Sequence, residues 1–351
     1  GGADLSLSRL INNLDHKKYE IDFICLNKQK IRKYLKRRIK IHIIKSSKTI
    51  FSIFKVRRII QENLKLNFTK VILFSNQNFV NVISYFITLG LDNRLKKVLI
   101  ERNHISELFT YFNLSDFFRK IIIRNLMKFT YPKFDRVIGN SEELSRDLGN
   151  FLNLKVKTIH NAVIANKSRN IINYKKKGRI LNVGRLEKQK DHLTLIKAFN
   201  IAIRHRDLTL TIIGNGSDYK DICEIIRKYK INKKIKILKN ITNIKPFYKN
   251  CDLFISSSLY EGFPNVIAES INMSIPIISS NCKSGIIELL RADKGPNIFK
   301  KGNYEELAKR ILNHYKNPLI LTKKTINLKK NLQKFSLIKY VKRYNNLFLN
   351  L

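Results

Sequence analysis

The sequence predicts an α/β protein of two Rossmann-like domains, each a parallel sheet covered by helices. Three observations predict it. The chain has 351 residues, more than one ordinary core accommodates. Short runs rich in β-branched residues alternate with longer segments whose apolar residues recur at three- and four-residue spacing, as in His192–Ile203. The alternation occurs twice, and the basic stretch Lys175-Lys176-Lys177-Gly178 divides the two series.

The elements follow in order. After Gly1-Gly2 comes a helical pattern, Leu5–Leu14. A doubly wound domain places a glycine-rich turn after its first strand, so the sequence reads as lacking that strand. Strands are then predicted at Ile21–Leu26, Lys70–Phe74, Val98–Glu101, Arg136–Ile138 and Val156–Ile159. The segment Ala162–Lys177 reads as a linker. Beyond it, strands are predicted at Ile180–Val183, Leu208–Ile213, Ile235–Leu238, Leu253–Ser256 and Pro276–Ser279. Lys334–Leu349 reads as a basic amphipathic helix that packs back on the first domain. The expected domains are residues 1–163, 164–333 and the helix 334–351.

Composition narrows the partners. Lys plus Arg is 69 and Asp plus Glu is 26, a net charge of +43. Such a charge attracts nucleic acid, anionic lipid or phosphorylated substrates. Abundant Ile, Asn and Lys also fit A- and T-rich coding, but the charges act whatever their origin. The four cysteines form no C-x-x-C pair, which fits neither a disulfide framework nor a zinc site and suits a reducing cytoplasm. No signal-peptide pattern opens the chain. The longest apolar stretch, Phe79–Leu91, falls short of the roughly 20 residues a spanning helix needs.

Two segments carry chemistry. Tyr260-Glu261-Gly262-Phe263-Pro264-Asn265-Val266-Ile267-Ala268-Glu269 follows the apolar strand Leu253–Ser256 and opens a helix near Asn265. A helix start is an anion site because its N–H groups point outward. Pro264 suits the first helical position, where no N–H is needed. Glu261 and Glu269 could reach opposite ends of one ligand whose phosphates lie on that start, each accepting hydrogen bonds from adjacent hydroxyls. The second segment is Gly184-Arg185-Leu186-Glu187-Lys188-Gln189-Lys190, after Ile180–Val183. Cations across a strand-to-helix turn stabilise a departing diphosphate without a metal.

These segments resemble the E-x7-E motif and the G-R-L-x-x-x-K motif of GT-B glycosyltransferases of family 4, bacterial polysaccharide and lipopolysaccharide type. Asp191 stands where the family has a glycine. The resemblance implies a GT-B fold whose two parallel sheets face an interdomain cleft. It implies a retaining hexosyltransferase that moves sugar from a nucleotide-sugar donor, a UDP-sugar by family weight, to a saccharide or lipid-linked saccharide. It assigns the diphosphate to Arg185 and Lys190, with Lys188 a bystander. It assigns donor-sugar hydroxyls to Glu261 and the ribose to Glu269, with sugar and diphosphate contacts along Gly262, Phe263, Pro264, Asn265 and Val266. Gly2, Gly184 and Gly214 would let the backbone approach the donor. His104, in Glu101-Arg102-Asn103-His104, would lie near the donor sugar, with Arg102 a weaker candidate. Ser280–Gly285 with Glu288 resembles a loop common in the bacterial members, and His160-Asn161-Ala162-Val163 the junction between domains. The resemblance runs from Gly1 to about Lys316 and is strongest over Arg179–Glu288.

No carboxylate nucleophile stands out, so retention implies attack on the face the diphosphate leaves. No metal cofactor is expected. Arg32–Lys40, Lys55–Arg58 and Phe117–Lys128 mix cations with apolar residues. They read equally as basic outer faces of core helices or as attachment to the inner face of the cell membrane. Rivals are a sugar-nucleotide epimerase of the same fold and, on charge alone, a nucleic-acid binder; no nucleic-acid motif is present.

Overall fold

The computed structural model describes residues 2–26, 34–36, 39–44, 52–163, 177–291 and 294–351. Gly1, much of Arg32–Lys40 and most of the linker before Lys177 lie outside the described residues. The chain divides into two compact units, Gly1–Ala162 with Leu337–Leu351, and Val163–Ser336.

The first unit opens with α1 (Gly2–Asn13), which begins earlier than its Leu5–Leu14 apolar pattern. Its strands are β1 (Asp22–Leu26), β2 (Lys40–Ile44), β3 (Val71–Asn76), β4 (Leu95–Glu101), β5 (Arg136–Gly139) and β6 (Lys157–Thr158). They form two parallel sheets, β1-β2 and β3-β4-β5-β6. The helices between them are α2 (Ile53–Lys65), α3 (Asn78–Ile87), α4 (Leu114–Thr130) and α5 (Glu142–Leu152). Val98, Leu99 and Ile100 of β4 are wholly buried. A parallel strand covered on both faces reads as an unbroken apolar run, which is why this one was visible in the sequence. β2 was not predicted. Its burial rises only from exposed at Lys40 to buried at Ile44, so it lacks that signature. Its side chains still meet β1 and α2: His42 Nε2 lies 2.8 Å from Asp22 Oδ2, which also accepts from Asn63.

The second unit holds β7 (Arg179–Val183), β8 (Thr209–Ile213), β9 (Ile235–Leu238), β10 (Leu253–Ser256), β11 (Ile277–Ser280) and β12 (Ile298–Phe299). All pair in parallel in the order β12-β11-β10-β7-β8-β9. The chain builds outward from β7 to β9, then returns to the other side of β7 with β10. The sheet therefore has a topological switch point between β7 and β10, where ligands of open α/β sheets bind beyond the carboxyl ends. Its helices are α6 (His192–Ala202), α7 (Tyr219–Lys228), α8 (Lys245–Lys249), α9 (Asn265–Asn272), α10 (Ile286–Leu290), α11 (Tyr304–Lys316) and α12 (Pro318–Asn331). One apolar cluster, with Leu195, Phe199, Leu307 and Ile311, covers one face; another, with Phe254, Ile267, Ile271 and Leu290, covers the other.

The chain crosses between units at Ala162/Val163 and again at Ser336/Leu337. The Val163 N–H donates to Phe335 O at 2.7 Å, so the two crossings are tied within the second unit. The last helix, α13 (Leu337–Leu349), joins the first unit's core through Tyr340, Tyr344, Leu347 and Phe348. The Tyr344 ring meets Phe74 edge-on at 5.5 Å. Among the described residues no helix is long and apolar enough to cross a membrane.

Candidate active site

The second unit brings the predicted residues of β7 and β10 together at the switch point. The turn after β7 carries Gly184, Arg185 and Lys190, and the loop after β10 carries Glu261. Lys190 Nζ forms an ion pair with Glu261 Oε1. The two side chains are 16% and 9% exposed, so water screens the pair only weakly. Ser258 Oγ donates to the same carboxylate oxygen at 2.7 Å. The buried Cys282 thiol beside it is pushed up to about 12, by desolvation first and then by the Glu261 charge.

Backbone contacts hold the two loops in register. Leu259 N donates to Gln189 O at 2.8 Å, Gln189 Nε2 donates to Tyr260 O at 2.9 Å, and Ser257 Oγ donates to Lys190 O at 2.8 Å. Gln189 Oε1 also accepts from Arg185 Nη2 at 2.8 Å. Arg185 Nη1 pairs with Glu187, and the guanidinium remains half exposed at the mouth of the turn. Asp191 explains the family's missing glycine. It sits at φ 44°, a left-handed conformation that glycine favours and aspartate tolerates. Its carboxylate then caps α6 by accepting from Thr194 N. The neighbouring His192 is lowered to about 4, by burial and then by the Lys190 ammonium.

The glycines serve close approach. A Cβ on Gly214 would lie 1.7 Å from Gly184 O, and one on Gly184 would lie 3.3 Å from the stem of Lys190. The turns after β7 and β8 therefore pack backbone to backbone, fixed by Gly184 N donating to Ile213 O.

The helix α9 begins at Asn265, with Pro264 just before it rather than inside it. Phe263 is buried against Phe335, with ring centroids 5.2 Å apart. Gly262 O accepts from Gly285 N at 2.7 Å, which ties this loop to the Ser280–Gly285 segment. Val266 O accepts from Ser270 Oγ and, at 3.4 Å, from Tyr248 Oη. Glu269 is held separately from Glu261: its Oε2 accepts from the buried Tyr248 hydroxyl at 3.2 Å. Burial, then the Glu269 charge, keeps that hydroxyl well above its ordinary range.

Gly2, Arg102 and His104 belong to the first unit. Gly2 is the exposed first residue of α1, inside the helix rather than in a turn. His104 is buried; its Nδ1 accepts from Ser106 N at 3.1 Å and its Nε2 lies 3.2 Å from Asp147 Oδ2. A neutral ring therefore carries its proton on Nε2. Arg102 is also buried, donating to Asn76 and Asn161. Glu101, fully buried, is raised to about 7 by desolvation, although Tyr131 Oη and Arg102 N donate to it.

Sequence reasoning missed Gln189, Ser258 and Tyr248. Gln189 lies inside the cationic segment and Ser258 directly after β10, so position was a signal for both. Nothing local marks Tyr248, whose hydroxyl meets Glu269 only through the fold.

Residues 164–335 match the family described as glycosyl transferases group 1. The chain is 28% identical over 259 residues, 72% of it and 67% of the relative, to the N-acetylgalactosamine-N,N'-diacetylbacillosaminyl-diphospho-undecaprenol 4-alpha-N-acetylgalactosaminyltransferase of Campylobacter jejuni. It is 24% identical to the amylovoran biosynthesis glycosyltransferase AmsD of Erwinia amylovora, over 84% of this chain and 81% of that one. Among solved structures, Anabaena HepE in complex with UDP-glucose superposes with a TM-score of 0.79 at 17% identity, covering 100% of this chain and 96% of that one. The chain has the GT-B fold, and its residues 164–335 are similar to the glycosyl transferases group 1 family.

Proposed function

We propose that the protein is a retaining glycosyltransferase that moves a sugar from a UDP-sugar to a saccharide or lipid-linked saccharide in cell-surface polysaccharide synthesis, on the cytoplasmic side of the membrane. The observation that carries this reading is the Lys190–Glu261 pair at the switch point of the second sheet. The solved HepE complex with UDP-glucose and the undecaprenol-linked substrate named for the Campylobacter enzyme support the donor and acceptor classes.

The chemistry follows from the residues. Breaking the bond between the anomeric carbon and the diphosphate builds negative charge on the leaving group. Lys190 and Arg185 stabilise that charge where it develops, inside a partly buried turn where fixed charges act strongly. An ammonium has three N–H donors, so Lys190 can hold Glu261 and a phosphate oxygen together. Glu261, oriented by Lys190 and Ser258, accepts from sugar hydroxyls. Glu269, oriented by Tyr248, accepts from the ribose. The α9 start and the Gly262–Val266 loop receive sugar and phosphate. The acceptor oxygen bonds to the anomeric carbon on the face the diphosphate leaves, and the acceptor proton passes to the diphosphate oxygen. His104, with its ring orientation fixed by Ser106 and Asp147, is the first-unit residue that the family resemblance assigns to the donor sugar. No metal is required.

The test is a screen of nucleotide sugars, with and without saccharide acceptors, read by released nucleotide and by the anomeric configuration of the product. Acceptor-dependent release with retained configuration is expected. Interconversion of the donor without acceptor establishes the epimerase instead, and an inverted product refutes the mechanism.

A further inference from the structure

We infer that Gln189 is a positioning residue for the donor: its buried amide holds the Arg185 guanidinium where the diphosphate is received and fastens it to the backbone that leads into Glu261. The inference rests on the donor-site roles proposed above for Arg185 and Glu261. The short helical turn Lys188–Lys190 sends its side chains in different directions. Lys188 is exposed, Lys190 reaches Glu261, and Gln189 is only 5% exposed. Gln189 uses both ends of its amide. Oε1 accepts from Arg185 Nη2 at 2.8 Å, and Nε2 donates to Tyr260 O at 2.9 Å. Chemistry fixes this orientation. A guanidinium only donates and a carbonyl only accepts, so the flipped amide would set N–H against N–H and oxygen against oxygen. The main chain of the same residue closes the link, its carbonyl accepting from Leu259 N at 2.8 Å.

Glu187 also pairs with Arg185, Nη1 to Oε2 at 2.8 Å, but these side chains are 55% and 36% exposed. Water screens such a pair and leaves its geometry loosely held. The buried amide is therefore the contact that fixes the guanidinium. A free arginine on a surface gives up much rotamer freedom when it meets a phosphate, and one already held gives up less. The N–H groups that neither partner takes are left to phosphate oxygens. The other end of the amide lies one residue before Glu261. One side chain thus couples the cation for the leaving diphosphate to the loop for the sugar, across 71 positions of sequence. Charges fixed in this way stabilise a transition state without first reorganising.

Titration of the full chain with UDP, and with uridine as the probe that lacks phosphates, tests the inference. Gln189→Met keeps the aliphatic stem and loses both side-chain hydrogen bonds. It should weaken UDP about tenfold, the scale of one hydrogen bond to a charged group, and leave uridine unchanged. In an Arg185→Ala background the same change should alter UDP affinity by less than about twofold, because the group it positions is gone. A side chain that only supported the fold would weaken UDP and uridine alike, and by the same factor in both backgrounds; either result overturns the inference. Cooperative melting identifies folded variants. Gln189→Asn, too short to span both partners, repeats the cycle if methionine unfolds the chain. A parent that binds no UDP, or binds it as well after Arg185→Ala, removes the proposed donor site and the inference with it. A parent that needs Arg185 but not Gln189 removes the inference alone.

Discussion

Replacing Lys190 by methionine separates stability from chemistry. Methionine keeps an aliphatic stem against Gly184, where Lys190 now lies 3.3 Å from a glycine Cβ position, and removes the ammonium. Glu261 is left with 9% exposure, holding Ser258 but no cation. Removing one partner of a buried pair costs 3–5 kcal/mol, and the remaining Ser258 bond places this case near the lower end. A loss of about 3 kcal/mol lowers the melting temperature of the second unit by roughly 6–12 °C. The double variant Lys190→Met/Glu261→Leu removes both charges, and apolar replacement of a whole buried pair is often neutral. It should recover most of the lost melting temperature. Transfer should not recover: both variants should fall by at least about 100-fold in turnover, the scale of one lost electrostatic stabiliser. Thermal unfolding and nucleotide release with acceptor read the two effects separately. A double variant as unstable as the single one refutes the ion pair as the structural link. Near-parental transfer in either variant refutes the site.

Further expectations follow from the same geometry. Gly214→Ala pushes a methyl into Gly184 O and should destabilise the second unit by about 1–3 kcal/mol; a raised KM for the donor with soluble, folded protein would be read by donor titration, and unchanged kinetics would discount the turn. Transfer should persist in a chelator, and a strict need for Mn²⁺ or Mg²⁺ would overturn the metal-free reading. The two units should respond to pH with opposite sign. Glu101 is raised from 4.5 to about 7, so its stabilising contribution is complete below 4.5 and is lost as pH rises through about 7. His192 is lowered from 6.5 to about 4, so its contribution is complete above 6.5 and is lost as pH falls through about 4. Glu101→Gln and His192→Leu should flatten the respective melting profiles, and unchanged profiles would refute both assignments.

The sequence alone determined the α/β class, because strands such as β4, β10 and β11 are covered on both faces and so are written as unbroken apolar runs. It also marked the residue types of the site, since Glu261, Arg185 and Lys190 sit in loops that directly follow such strands. It did not show β2, whose half-exposed edge carries Lys40 and His42, or β12, which has two residues. It showed that one face of α13 must be covered; the fold decided that Phe74, Leu10 and Ile100 belong to the cluster covering it. Lys190 and Glu261 stand 71 positions apart, and their meeting depends on β10 returning beside β7 rather than beside β9. Periodicity and capping are local properties of a chain, whereas strand order is settled by the packing of the whole unit. The sequence therefore named the charges, and only the tertiary structure made them a pair, with Ser258, Gln189 and Tyr248 holding the groups around them.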